Sequence, residues 1–136
     1  MMINKGRDRM QHIFLVGAKS LGAYGGYETF INKLTEYHQN RTDIKYHVAV
    51  KANGQGAGIP EGAIRNRGGY IYHNAECFEI KIPEKLGSAQ AIYYDCSALR
   101  KSIDIIKKNK IEAPIIYVMT CRIGPFFGHY VRKIKN

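Results

Sequence analysis

The sequence predicts an α/β domain of Rossmann-like, three-layer build, with helices on both faces of a mainly parallel sheet. Three observations predict it. Short apolar runs alternate with longer amphipathic segments in the order β-α-β-(loop)-β-α-β-α, and right-handed crossovers turn that order into a doubly wound sheet with spatial order 3-2-1-4. The first run, Ile13 to Val16, ends at Gly17 and leads through a loop carrying Gly22, Gly25 and Gly26 into a helix. The last run, Ile115 to Met119, is almost wholly apolar, as strands covered on both faces are.

Each element has its own warrant. From Tyr27 to about Gln39, Phe30, Ile31, Leu34 and His38 recur at three- and four-residue spacing and give a helix one apolar face. Ile44 to Val50 alternates as a second strand, followed by KANGQGAGIPEGAIRNRGG, too rich in glycine for a regular element. Tyr70 to Ile82 reads as a third strand, broken near His73-Asn74 and ended by Pro83. Gly87 to Lys110 holds the longest helix, with Ser88 as N-cap and Ile92, Leu99, Ile103 and Ile106 as its buried stripe. Asp95 early and Lys107, Lys108 and Lys110 late suit the helix dipole. Pro114 opens the fourth strand, and Pro125 starts a last helix.

With 136 residues, the length prior allows one domain, residues 12–136, behind a basic tail over residues 1–11. The last helix stops at Asn136 with neither cap nor following strand, so we expect the chain to belong to something longer. The apolar fourth strand then lies at an exposed sheet edge, a route to homo-oligomers. No apolar run reaches the roughly 20 residues that span a bilayer, and the basic start lacks a signal-peptide core. Cys77, Cys96 and Cys121 are odd in number and unpaired in motif, which points to a reducing, cytoplasmic setting. The histidines are scattered, so no metal site is expected.

A formal charge of +10 favours an anionic partner, and no arginine-rich arm or aromatic RNA-binding strand directs it to nucleic acid. Arg132, Lys133 and Lys135 with Lys5, Arg7 and Arg9 would seat the chain peripherally on the inner face of the plasma membrane.

Spacing tests the first loop. The P-loop pattern begins with Gly17 and Gly22, but Ala23 and Tyr24 stand where Lys and Ser/Thr are needed, which disfavours an NTPase. The dinucleotide fingerprint fails at Lys19, and Lys51 replaces the acidic residue at the end of the second strand. That lysine still suits a 2′-phosphate. A stand-alone nucleotide- or NADP-binding module without transferase activity is therefore the alternative reading.

A closer correspondence lies in GAYGGYETFINKLTEYH (Gly22 to His38), which resembles the GGxE loop and helix of retaining glycosyltransferases built from two Rossmann-like domains, the GT-B architecture. With HNAECFEIKIP, GSAQAIYYDCSALRKSI and PIIYVMTCRIGPFFGHYVRKIK, the chain from about residue 12 onward resembles the N-terminal domain of bacterial rhamnosyltransferases of capsule and cell-wall polysaccharide synthesis. The resemblance implies an enzyme that moves rhamnose from dTDP-rhamnose to a lipid-linked saccharide, with no further cofactor. It also implies that this half binds mainly the acceptor and is inactive without a donor domain.

On that basis Gly25 and Gly26 would let backbone N–H groups approach the donor diphosphate, with Tyr24 lining the sugar pocket and Glu28 reaching sugar or helix dipole. Lys19 stands in the same loop as a further phosphate neighbour. Thr120 and Arg122 fall at the end of the fourth strand, where open α/β sheets place ligands, and Arg122 would hold an anionic acceptor group. Related transferases carry histidine at that strand end; Cys121 and Arg122 here leave the catalytic residues unassigned. His73 and Asn74 are expected on the same rim as acceptor contacts, with Arg65, Arg67, Gly68 and Gly69 as a clamp for acceptor phosphate.

Overall fold

Four apolar runs that cannot be solvated singly share one sheet. The computed structural model describes residues 10–22, 25–120, 129 and 132–133. Strand β1 (Gln11–Val16) leads to helix α1 (Gly26–Tyr37), then β2 (Ile44–Lys51). Short β3 (Ile64–Arg65), β4 (Gly69–Tyr72) and β5 (Ala75–Ile80) follow, then a 3₁₀ turn (Glu84–Ala89), helix α2 (Gln90–Lys108) and β6 (Ile115–Val118). The sheet order is β3-β4-β5-β2-β1-β6. Its β5-β2-β1-β6 core is parallel throughout, in register Leu15↔Val48, Leu15↔Tyr117 and Val48↔Cys77. This is the expected Rossmann-like α/β order, with an antiparallel extension on one side.

Alternation on β1 divides the interior. Leu15 faces α1 and packs with Ile31, Val48, Val50 and Tyr70. Phe14 and Val16 face α2 and pack with Ala49, Phe78, Tyr94 and Ala98. Two hydrophobic layers on opposite faces of one sheet make the α/β/α sandwich.

Four expectations change. The break at His73-Asn74 is a hairpin turn joining β4 to β5: both residues have positive φ (51° and 65°), the two-residue geometry whose twist matches paired strands. Within the glycine-rich stretch, Ile64 and Arg65 pair with β4. The long helix starts at Gln90, so Ser88 is not its N-cap and Ile92 is exposed. Gly87, with φ 55°, kinks the chain inside the 3₁₀ segment, ahead of the helix. On β6, Ile115 and Tyr117 remain about half exposed, Tyr117 beside Phe30, so that strand is not covered on both faces. The helix expected from Pro125 falls largely outside the described residues.

Candidate functional site

The carboxyl ends of the parallel strands carry two loops that lock together. The first runs from Gly17 to the start of α1; the second follows β2 through Gly54, Gly56 and Gly58. The Lys51 N–H donates to the Lys19 carbonyl at 2.7 Å, joining the loops at their roots. Asn53 ties the second loop to the chain after β5: its Nδ2 donates to the Ile82 carbonyl at 2.9 Å, and the Ile82 N–H donates to its Oδ1 at 2.8 Å. The Lys19 side chain lies flat over Gly56, where a Cβ would come 2.4 Å from Lys19 Cδ. Between the loops is a cleft of about 240 Å³, lined by Ser20, Leu21, Gly22, Gly56, Ala57 and Pro60 among others.

Glu28 sets the shape of the first loop. It is 4% exposed, and its Oε2 accepts the Lys19 N–H at 2.8 Å. Its Oε1 occupies the space beside Gly25, 2.0 Å from where a Cβ would stand. Gly25 also has φ 149°, which L side chains rarely adopt, so glycine is required there twice over. Gly26 is different: an added Cβ meets nothing within 4 Å. Since the first N–H groups of a helix have no partner within it, the open space at Gly26 leaves the α1 start approachable by an anion.

The strand ends behind the loop are equally fixed. Tyr94 Oη on α2 donates to the Ala18 carbonyl and lies 3.0 Å from the Ala49 carbonyl, spanning the ends of β1 and β2. Asp95 beside it is fully buried and accepts the Thr120 hydroxyl at 2.9 Å, just after β6. Thr120 Cγ2 in turn lies against Gly17. Tyr70 Oη accepts the Leu21 N–H at 3.3 Å, anchoring the loop on its α1 side.

The structure thus brings together Gly25, Gly26, Glu28, Lys19 and Thr120 at one sheet edge. Glu28 serves the loop backbone through Oε2, while Oε1 lies against Gly25. His73 and Asn74 lie at the opposite edge: the hairpin turn precedes β5, and His73 Nδ1 is 3.1 Å from Thr35 Oγ1 near the end of α1. They do not share the rim with the glycine loops. Arg65 meets Glu79 at 3.5 Å on the outer hairpin, apart from the cleft. Tyr24, Cys121, Arg122, Lys5, Arg7, Arg9 and Lys135 lie outside the described residues.

Sequence reasoning missed Tyr94, Asp95 and Asn53 as parts of this edge. The paired Tyr93-Tyr94 and an acid early in α2 were visible, but which of them turns inward depends on how α2 packs against the sheet. A family model described as a domain of unknown function, DUF1972, matches residues 10–136. No curated protein and no solved structure matches the chain.

Proposed function

The chain belongs to the DUF1972 family, and we propose that it is the acceptor-side Rossmann-like half of a retaining glycosyltransferase that transfers rhamnose from dTDP-rhamnose to a lipid-linked saccharide. One observation carries this reading. A buried carboxylate braces a glycine loop at the carboxyl edge of a parallel sheet, while the adjoining helix start stays open at Gly26. The resemblance of Gly22–His38 and the later segments to rhamnosyltransferases supplies the sugar.

In this reading the chain does not attack the substrate through its own side chains. Negative charge grows on the departing nucleotide diphosphate, and prearranged backbone N–H groups at the start of α1 oppose it. Glu28 is a positioning residue: by holding Lys19 N–H it fixes the loop before the ligand arrives. Thr120, held by Asp95, stands at the strand end on the acceptor side, and Arg122, two residues on, is proposed to meet an anionic acceptor group. No helix among the described residues is long and apolar enough to cross a membrane. In this reading a lipid-linked acceptor is met at the bilayer surface.

The alternative module would place NADP phosphate near Lys51. That side chain is directed elsewhere, its Nζ 3.3 Å from the Gln55 carbonyl and 5.5 Å from the Tyr94 ring centre. Ligand-observed NMR with dTDP-rhamnose, dTDP and NADPH separates the two. We expect weak binding of the dTDP ligands that Gly26→Val abolishes; NADPH binding alone would replace this reading with the module.

A further inference from the structure

Helix α2 presents a charged face that the proposed chemistry does not use. Between this face and the end of β5 runs an open groove of about 550 Å³. Lys81, Arg100, Lys101 and Lys108 line it, against the carboxylates of Glu79 and Asp104. Glu79 is already met by Arg65 at 3.5 Å, which leaves the cations in clear excess. Lys101 is held in place, its Nζ donating to the Glu79 carbonyl at 3.1 Å. Lys107 and Lys110 continue the basic character beyond the groove, and both are exposed. At the other end of the helix, Ile92 and Tyr93 are 43% and 36% exposed.

We propose that this face of α2 docks the domain on an anionic lipid bilayer. Three features select a bilayer over other anions. From Tyr93 to Lys108 the helix runs about 22 Å, longer than a single phosphate or diphosphate needs and matched to a row of headgroups. The cations of the groove stand on long side chains spaced along α2 and the end of β5, so it favours a diffuse charged surface over one small ion. Tyr93, at its end, suits insertion at the headgroup level, where aromatic side chains lie beside basic ones. The proposal stands independently of the transferase reading.

The test is vesicle co-flotation of the whole chain. The vesicles are phosphatidylcholine alone, or phosphatidylcholine mixed with phosphatidylglycerol, at low and high salt. We expect binding to the mixed vesicles only, weakened by salt. Arg100→Glu/Lys108→Glu should lower it by about tenfold or more, since each basic residue near such a surface contributes severalfold. Arg100→Gln/Lys108→Gln should give a smaller loss, and circular dichroism checks that both pairs remain folded. The control pair Lys33→Glu/Arg41→Glu, on and just after α1, should retain most of the binding, as should a chain with Lys5, Arg7 and Arg9 changed to serine. Equal binding to neutral vesicles would overturn the proposal. So would equal losses in the control pair, or binding governed by the N-terminal basics. Binding of pyrophosphate or duplex DNA that Arg100→Glu/Lys108→Glu abolishes, with no vesicle binding, would reassign the groove to that ligand.

Discussion

Glu28 and Gly25 occupy one another's space: the Glu28 carboxylate fills the volume that any side chain at position 25 would need. The glycine is thus demanded by a neighbouring acid as well as by its own backbone angle. Removing the acid relieves only one of the two demands.

Gly25→Ala is therefore expected to destabilise the domain by about 1–3 kcal/mol through left-handed strain and displacement of Glu28. Glu28→Ala releases the Lys19 N–H and costs about 1–3 kcal/mol. The double variant should cost less than the sum, because the clash is removed once. Gly26→Ala, with open space and an ordinary φ, should be neutral or stabilise by up to about 1 kcal/mol. Urea unfolding of the four proteins measures all of these.

Tyr94→Phe deletes the hydroxyl that spans the Ala18 and Ala49 carbonyls. The expected cost is about 1–3 kcal/mol, with two buried acceptors deprived of that donor. Because these carbonyls stand at the ends of β1 and β2, amide exchange should quicken first in the loops that follow. Uniform loss of protection across the sheet would contradict a local bracing role.

Thr120→Val removes the hydroxyl that donates to the fully buried Asp95. A loss of about 1–3 kcal/mol is expected. In an Asp95→Ala background the same change should cost markedly less, since contacting partners are not additive. Additivity within about 0.5 kcal/mol would show that the pair is not coupled.

At the opposite edge, His12 Nδ1 and His47 Nε2 are 2.8 Å apart, so one ring must donate and the other accept. His47 is 4% exposed and stacks on Phe14. Burial pushes its pKa down to about 4, and burial also lowers that of His12. Between about pH 4 and pH 6.5 the unfolded chain binds the proton that folded His47 refuses. Stability contributed by this group is complete above that window and falls as pH drops through it, by up to about 3 kcal/mol. Denaturant midpoints at pH 7 and pH 4.5 should differ more for the wild type than for His47→Gln. An unchanged pH slope in the variant would refute the assignment.

Much of the parallel core was legible because β1, β2, β5 and β6 are apolar runs separated by helical periodicity or by glycine. The hairpin was not. His73-Asn74 lacks the Asn-Gly or Asp-Gly signature of a two-residue turn, and a histidine with positive φ is held there by pairing and by its contact with Thr35. Ile92 was read as buried from spacing alone; it keeps the phase of Leu99, but in the first turn of α2 it stays exposed. At the site, glycine spacing located the loop, and the acid two residues after Gly26 was visible. That its carboxylate would hold Lys19 N–H depends on how the loop closes back on itself, a distance the linear spacing does not contain. Asp95 was read as a helix-dipole acid, because its burial depends on Thr120 arriving from β6.

The most direct test of the central claim is a residue-resolved amide titration of the chain with dTDP-rhamnose, beside Gly26→Val. The account predicts shifts concentrated on Lys19 to Gly26 and on the Gly56–Gly58 turn, absent in the variant although it remains folded. Shifts confined to other parts of the sheet, or a loop that answers to NADPH and not to dTDP-rhamnose, would contradict it.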